Sequence, residues 1–320
     1  MLKTALTTEE RLARVRGNML RYRGPRLRPV QADRGGIAIC GFGPSLKNTW
    51  TALPKRVMTT SGAHDFLLSK GIVPTYHVEC DPREHKVEFL RHPHKDTTYL
   101  INSQCHPEMF KALRGFKVLM WHGFTNDDAE GQIKLVNSLL PGTRLLAGGT
   151  NAGMRSIVVA RELGFREFDL HGLDCCYEGR EQWAGKHHGE RHCTVLIEAV
   201  GKTFETSALM MQSTDDFFMQ LRMLPGCRFR VHGGGLLETR LSLYNRDPAK
   251  ALSIDWWKPI SFTLRKEEDI PAVAGAPLIS ADYLALNAAL HAQNAKYGTS
   301  GASVIAGGYV LQVGASDRIV

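Results

Sequence analysis

Residues with the types and spacing of a ligand-binding turn follow a short apolar run, 37–40: Gly41, Gly43, Pro44 and Ser45. A glycine turn after a buried strand lets the backbone approach a phosphate, because no Cβ stands in the way. A helix that begins at the proline and serine offers free N–H groups and a hydroxyl to an anion. The turn lacks the Gly-Lys-Ser/Thr of a Walker A loop and the third glycine of the dinucleotide fingerprint. It therefore predicts phosphate or nucleotide binding, with a tight strand-to-helix turn as the alternative.

A second group has carboxylates in alternation: His77, Glu79 and Asp81. Strand alternation places the three on one side. Asp81, at the strand end, is the predicted ligand of a Mg²⁺ ion that bridges phosphates, or of a ribose hydroxyl. The alternative is a capping role for Asp81 at the helix that follows.

Two further glycine turns carry polar neighbours. Gly149, Thr150 and Asn151 precede a long helical pattern and are predicted to face a phosphate or a base, with Thr150 as an N-cap in the alternative. A triple glycine, 233–235, follows a later strand and forms either the floor of a site or a flexible exit.

Acid–base chemistry is predicted for Asp174, His187 and His188, because histidine titrates near neutral pH and a strand-end carboxylate can accept a proton. The nearby cysteines and histidines match no standard zinc finger or ribbon in their spacing. Cys175 and Cys176 are therefore interpreted as packing residues.

The elements that position these residues alternate between strands and helices from residue 37 to about 176, which is typical of βαβ units with a mostly parallel sheet. Ligands of such sheets bind beyond the carboxyl ends of the strands. Polar residues recur at those predicted ends: Gly41 to Ser45, Thr60 and Ser61, Glu79 and Asp81, Asn102 to Gln104, His122, Gly148 to Asn151, and Asp174. The sequence thus predicts one binding rim, to which Thr60, Ser61 and Asn102 belong as cofactor-binding residues.

Outside this alternation, a helix with a Thr7–Glu10 capping box is predicted over 7–21 and an amphipathic helix over 206–223. HKVEFLRH, 85–92, is also read as a helix, and 143–149 as a short extended piece. With 320 residues, about two domains are expected.

Composition places the chain among ordinary folded proteins. Hydrophobic residues make up 43% and charged residues 22%, which argues against a disordered chain, a collagen or a disulfide miniprotein. No apolar run reaches bilayer length and no secretory signal is visible, and seven cysteines without a paired framework favour a reducing cytoplasm.

The net charge is +8, and many arginines stand in the first 34 residues. A basic excess suits phosphate-bearing partners, including nucleotides and nucleic acid. The alternative is solubility, with a basic arm lying on the protein's own surface.

An ordered set of motifs resembles a known family: GFGPSL, GIVPTYHVECDP, GGTNAGMRSIVVARELGFREFDLHGLDCCY, KHHG, GKTFETS and HGGG. The set is similar to the 6-hydroxymethylpterin diphosphokinase MptE-like family, which also contains glycosyltransferase-like motility accessory factors. The first loop is similar to that of bacterial sialyltransferases that use CMP-sialic acid. The resemblance covers roughly residues 35–240.

The resemblance implies a Rossmann-like α/β fold with helices on both faces of the sheet. It places a phosphate on Gly41, Gly43, Pro44 and Ser45, a metal or nucleotide on Asp81, and the acceptor beside Asp174, His187 and His188. Phe42, between the glycines, and Cys175-Cys176 depart from the family pattern.

The expected organisation is a basic helical arm and linker, 1–34, a Rossmann-like nucleotide-binding domain, 35–240, and a C-terminal extension, 241–320. Within the extension, 279–301 resembles the lead-in to class I methyltransferase domains. The extension is expected to be either an appended helical piece or the start of a domain that a longer polypeptide would continue.

The expected function is a transferase that takes a nucleotide or nucleotide-sugar, with Mg²⁺ as a possible cofactor. It would pass a diphosphoryl or glycosyl group to the hydroxyl of a small-molecule or glycan acceptor. The alternative is a non-catalytic nucleotide- or nucleic-acid-binding module of a larger assembly.

Overall fold

A parallel sheet forms the centre of the protein. The computed structural model describes residues 6–124, 129–179, 184, 194–254, 256 and 261–263. Within these ranges the sheet has seven strands, β1 (Gly36–Cys40), β2 (Val57–Thr60), β3 (Tyr76–Glu79), β4 (Thr98–Asn102), β5 (Lys117–Trp121), β6 (Glu167–His171) and β9 (Arg228–His232). A separate antiparallel sheet contains β7 (Thr194–Ala199), β8 (Lys202–Thr206) and β10 (Ser261–Thr263).

The helices of the described ranges connect and cover these strands. They are α1 (Thr8–Arg21), α2 (Leu46–Thr49), α3 (Ala63–Ser69), α4 (Pro107–Ala112), α5 (Ala129–Leu139), α6 (Ala152–Glu162), α7 (Ala208–Met223), α8 (Leu236–Arg246) and α9 (Pro248–Ser253). Two 3₁₀ helices, Trp50–Ala52 and Glu84–Leu90, lie between them. None of the helices in the described part of the chain combines the length and the apolar character needed to cross a membrane.

The strand order in the main sheet is β5-β4-β3-β2-β1-β6-β9, and every neighbouring pair is parallel. The chain builds the sheet outwards from β1 to β5, and then returns through α6 to place β6 on the other side of β1. The strand order reverses at this point, and ligands of open parallel sheets bind beyond the carboxyl ends of the strands at such a point. The predicted Rossmann-like α/β fold is confirmed.

Apolar side chains on both faces of β1 explain why the helices flank the sheet. Ile37 and Ile39 belong to the large core cluster that also contains side chains of α6, α7 and α8. Ala38 and Cys40, which alternate with them, pack with side chains of α2 and α3. A strand buried on both faces reads as a continuous apolar run, and this is why β1 was recognisable in the sequence.

The N-terminal helix packs on the carboxyl edge of the sheet. The predicted capping box is present, because Thr7 and Glu10 cap one another's backbone N–H groups. Asn18 is buried and donates hydrogen bonds to the carbonyls of Ser103 and Cys105, at 2.9 and 2.8 Å, just beyond β4. Arg14 donates to the carbonyl of Pro82, beyond β3. Arg14 therefore lies beside the end of β3.

The structure differs from the sequence analysis at residues 85–92 and at the β7–β8 hairpin. Residues 85–92 contain 3₁₀ rather than α-helix, in a stretch bounded by Pro82 and Pro93, which restrict the backbone at both ends. The short extended piece expected at 143–149 takes part in one isolated bridge, at Leu146. The β7–β8 hairpin was missed because its turn is Val200-Gly201, in which both residues have positive φ, and this valine lacks the usual hairpin signal.

Replacing Asn18 with alanine is expected to lower the free energy of unfolding by about 1–3 kcal/mol, because two buried carbonyls lose their donor. Urea unfolding of the full chain measures the change. The exposed Arg16→Ala on the same helix is the control and should stay within about 0.5 kcal/mol of the wild type. Equal effects of the two variants would show that the amide does not fasten the helix to the rim.

Candidate functional site

The loops that follow β1 and β6 are joined by backbone hydrogen bonds at the point where the strand order reverses. Cys40 pairs in register with His171, so the two strands end together. The Gly41 N–H donates to the carbonyl of His171 at 2.9 Å, and the Gly43 N–H donates to that of Gly172 at 2.8 Å. The two loops therefore form one joined unit at the carboxyl ends of β1 and β6.

Asp174 is the buried carboxylate of this unit. Its side chain accepts a hydrogen bond from the backbone N–H of Ser45 at 3.1 Å, and only 7% of the residue is exposed. Burial raises the pKa of Asp174, although its hydrogen bonds with Ser45 oppose the shift. A carboxylate with a raised pKa is a stronger proton acceptor than an ordinary aspartate, so this group suits work on a hydroxyl.

Glycines allow the chain to come this close to Asp174. A Cβ on Gly43 would overlap the Asp174 carboxylate and would lie 2.6 Å from the carbonyl oxygen of Gly172. Gly233, at φ +122°, lies against the Ser45 side chain, and a Cβ on Gly235 would lie 2.7 Å from the Asp174 carbonyl oxygen. The triple glycine, 233–235, thus packs against the Asp174 loop, next to the loop that contains Gly43 and Ser45.

The N–H groups of the first glycine turn have protein acceptors in this structure. Besides the bonds of Gly41, Gly43 and Ser45, the Leu46 N–H donates to the carbonyl of Gly43 at 3.1 Å. Pro44 has no N–H. The predicted phosphate contact of this turn stays a prediction, and the contacts present hold Asp174 in place.

The turn before α6 is held by α7. Asn151, rather than Thr150, is the N-cap of α6, because its side chain accepts from the Met154 N–H at 3.0 Å. Thr150 donates through its backbone and its hydroxyl to Asp216 at 2.6 and 2.8 Å. Gly149 has φ +91°, and a Cβ there would lie 3.0 Å from Asp216. A ligand at this turn would therefore have to contact atoms that are not already used in the hydrogen bonds to Asp216 and to the Met154 N–H.

The end of β2 contacts the first turn through an aromatic ring. Thr60 is buried, and Ser61 has φ +51°. The Phe42 ring lies so close to Gly62 that a Cβ there would overlap it. Phe42, which departs from the family pattern, thus packs the β1 loop against the β2 loop and brings Thr60 and Ser61 to the same rim.

Asp81 forms an ion pair, and its surroundings do not fit a bound Mg²⁺ ion. Its two oxygens accept hydrogen bonds from the Arg83 guanidinium, and Lys86 Nζ lies 3.7 Å away. Burial alone would raise the pKa of Asp81, but these cations outweigh it and hold the pKa below its usual value. No group of three metal-ligating side chains is found among the described residues. The magnesium prediction at Asp81 stays a prediction.

Glu79, which the sequence placed only on the rim, is a buried carboxylate. It is 1% exposed, and its Oε1 accepts from the N–H groups of Cys80 and Asp81 at 2.8 and 2.9 Å. Burial raises its pKa, and the charge of Lys86 opposes the shift. Its Oε2 has no hydrogen-bond partner.

Two buried histidines lie at the rim on opposite sides of β1, His171 at the end of β6 and His122 directly after β5. His171 stacks on His232 with ring centroids 4.4 Å apart, and burial, together with His232, lowers the pKa of His171 to about 4. His122 contacts the Ser103 hydroxyl at 3.0 Å, and burial, with Arg26, lowers its pKa to about 4. The predicted catalytic pair, His187 and His188, lies outside the described residues.

Buried side-chain atoms without hydrogen-bond partners recur at this edge of the sheet. Glu79, Asn102 and His171 are the last residues of three strands, and His122 directly follows a fourth. Each has at least one buried nitrogen or oxygen without a partner. Buried polar atoms are normally paired, so this recurrence is a signal for ligand binding that the sequence alone could not give.

The comparisons with known proteins agree with this geometry. The family profile described as 6-hydroxymethylpterin diphosphokinase MptE-like matches residues 21–180, half of the 320-residue chain. No curated protein sequence matches the chain. The profile match confirms the resemblance drawn from the ordered motifs.

Among solved structures, the MAf glycosyltransferase from Magnetospirillum magneticum AMB-1 is similar to 78% of this chain, with 17% identity and a TM-score of 0.53. The chain spans 42% of the length of that protein, and the likeness shows a shared fold. The sialyltransferase CstII from Campylobacter jejuni, solved with cytidine-5'-monophosphate, aligns over 64% of this chain and 83% of its own, at 14% identity. Its TM-score of 0.34 is too low to assign a common fold.

Replacing Gly43 with alanine is expected to lower the free energy of unfolding by about 1–3 kcal/mol, because the added methyl group displaces the Asp174 loop. Gly36→Ala is the control, since a Cβ there meets its nearest atom at 3.7 Å. Urea unfolding compares the two variants. A tolerated Gly43→Ala would mean that the loops are not tightly joined.

The depressed pKa of His171 predicts acid-sensitive folding. Below the ordinary pKa of 6.5, the unfolded chain binds a proton that the folded chain refuses until about pH 4, so stability falls as the pH falls through this window. One such group contributes up to about 1.4 kcal/mol per pH unit. His171→Gln should flatten the plot of unfolding free energy against pH. Parallel plots for variant and wild type would contradict the assignment.

Proposed function

Since the chain belongs to the 6-hydroxymethylpterin diphosphokinase MptE-like family, we propose that it is a transferase whose cosubstrate is a nucleotide or a nucleotide-sugar. The group transferred is a diphosphoryl or a glycosyl group, and the acceptor is a hydroxyl of a small molecule or a glycan. The observation that carries this proposal is the buried Asp174 carboxylate, fixed by Ser45 at the point where the strand order reverses.

The cosubstrate binds along the carboxyl edge of β1, β2 and β4. In this proposal Gly41, Gly43, Pro44 and Ser45 form the wall nearest the phosphates. The remaining contacts come from the neighbouring strand ends and the start of α6: Thr60, Ser61, Asn102, Gly149, Thr150 and Asn151. The close packing of Phe42 on Gly62 supports this grouping, because it joins the first two of these loops.

Asp174 and the histidine pair serve the acceptor. The Asp174 carboxylate accepts a hydrogen bond from the attacking hydroxyl, and its raised pKa favours uptake of the hydroxyl proton. His187 and His188 share this proton transfer in the proposal. The attacking oxygen is then free to form its new bond.

Two reactions fit these roles. In glycosyl transfer, the hydroxyl oxygen bonds to the anomeric carbon while the bond from that carbon to the nucleotide phosphate breaks, and the nucleotide leaves. In diphosphoryl transfer from ATP, the hydroxyl oxygen bonds to the β-phosphorus while the bond to the α-phosphate breaks, and AMP leaves.

Ligand-induced stabilisation identifies the donor class. We expect one class of nucleotide or nucleotide-sugar to stabilise the fold by about 2.7 kcal/mol when present at about one hundred times its dissociation constant. A thermal-shift screen of both classes, with and without Mg²⁺, measures this effect. The absence of any stabilising nucleotide would contradict the proposed cosubstrate.

Replacing Asp174 with asparagine is expected to lower kcat by at least about 100-fold, because the proton acceptor is removed. Asparagine still accepts from the Ser45 N–H, so the unfolding free energy should not fall. Asp169→Asn, in β6, is the control, because that carboxylate pairs with Arg230. Turnover with the identified donor, measured beside urea unfolding, tests the role. Unchanged turnover in Asp174→Asn would falsify it.

A further inference from the structure

Cys175, the residue directly after Asp174, has a backbone conformation that is unfavourable for a residue with a side chain. Its φ is +55°, in the left-handed region, where the Cβ comes too close to a carbonyl oxygen. Such conformations persist where the surrounding contacts fix them, and they cluster at functional sites. The contacts around Cys175 must therefore hold this conformation against its own strain.

Hydrogen bonds fix the peptide groups on both sides of Cys175. The carbonyl of Asp174 accepts from the Leu237 N–H, in the first turn of α8, at 3.2 Å. The carbonyl of Cys175 accepts from the Thr206 hydroxyl at 2.8 Å. Because peptide groups are planar, rotation about φ of Cys175 turns the first group and rotation about ψ turns the second. The two bonds together thus hold both dihedral angles.

The small antiparallel sheet supplies the second of these bonds. Thr206 is the last residue of β8 and is fully buried. The same strand binds the loop once more, because the Tyr177 N–H donates to the carbonyl of Glu205 at 2.8 Å. The Cys176 side chain packs in one apolar cluster with Phe204 of β8. The segment after Asp174 is therefore attached to the small sheet through its backbone and through a side chain.

The Asp174 carboxylate lies one peptide group away from this attachment, and its surroundings leave it little freedom. It accepts from the Ser45 N–H at 3.1 Å, and a Cβ on Gly43 would overlap it. The left-handed turn at Cys175 lets the chain leave towards β8 while Asp174 stays against the β1 loop. A change of conformation at Cys175 would therefore displace the carboxylate from Ser45.

We propose that Thr206 is a positioning residue for Asp174. Its hydroxyl holds the Cys175 carbonyl, and it thereby keeps the turn that presents the Asp174 carboxylate to Ser45 and to the attacking hydroxyl. Precise placement of a reacting group depends on such supporting contacts from a rigid element. The inference rests on the proposed function only for the attacking hydroxyl. It gives the β7–β8 hairpin, which lies outside the main sheet, a role in the site.

Two substitutions at Thr206 separate positioning from packing. Thr206→Val removes the hydroxyl and keeps the branched shape, whereas Thr206→Ser keeps the hydroxyl and loses a buried methyl group. NMR of the carboxyl carbons in the full chain, assigned with Asp174→Asn, measures the pKa of Asp174. In Thr206→Val this pKa should fall towards its ordinary value, because burial is the larger of the effects on it. Thr206→Ser should keep the wild-type pKa, as should the control Thr203→Val, at an exposed position of β8.

A packing role alone predicts the reverse order, since serine leaves a cavity and valine does not. An unchanged pKa of Asp174 in Thr206→Val, or a larger change in Thr206→Ser, therefore overturns the proposal. If the valine variant does not fold, Thr206→Ala, which also lacks the hydroxyl, takes its place in the comparison.

Turnover distinguishes this proposal from the proposed function. With the donor that the thermal-shift screen identifies, kcat of Thr206→Val should fall by about tenfold or more, because a small displacement of a reacting group is costly. The acidic limb of its pH profile should move to lower pH, whereas Thr206→Ser should keep the wild-type profile. A changed pKa of Asp174 in Thr206→Val beside unchanged turnover in Asp174→Asn would defeat the proposed function and leave the positioning role standing. Turnover that depends on Asp174 but not on Thr206 would defeat the positioning role alone.

Discussion

The hydrogen bond from the Ser45 N–H to the Asp174 carboxylate is the contact on which the site depends. It joins the loop after β1 to the loop after β6, which are 129 residues apart in sequence and neighbours only because the strand order reverses between them. The parallel register of Cys40 and His171 brings both loops to the same height. Glycines at 43, 233 and 235 then let three backbones surround one carboxylate.

Burying carboxyl groups at the rim lowers the free energy of unfolding, and the hydrophobic core beneath the rim compensates for this loss. The carboxyl groups of Asp174 and Glu79 are buried where water reaches them little. Each is destabilising unless its partners are supplied. The extensive apolar cluster around β1 and α6 provides the stability that tolerates such groups at the rim. Stability and function are thus divided between the middle of the sheet and its carboxyl edge.

The sequence predicted the sheet well because its strands are short apolar runs bounded by glycine and proline, a local pattern. It also predicted that the first turn and the rim belong together, since parallel strands end at one edge. The alternative role of Thr150 as the N-cap of α6 is wrong, because Thr150 donates instead to Asp216, which is 66 residues away along the chain, and Asn151 is the N-cap.

The small antiparallel sheet links two segments that are distant in sequence. Thr263, at the end of β10, pairs with Thr194, the first residue of β7. Thr194 stands six positions after His188, and Thr263 is followed by the rest of the C-terminal extension. Strand β10 therefore holds the beginning of β7 through backbone hydrogen bonds that do not involve the main sheet.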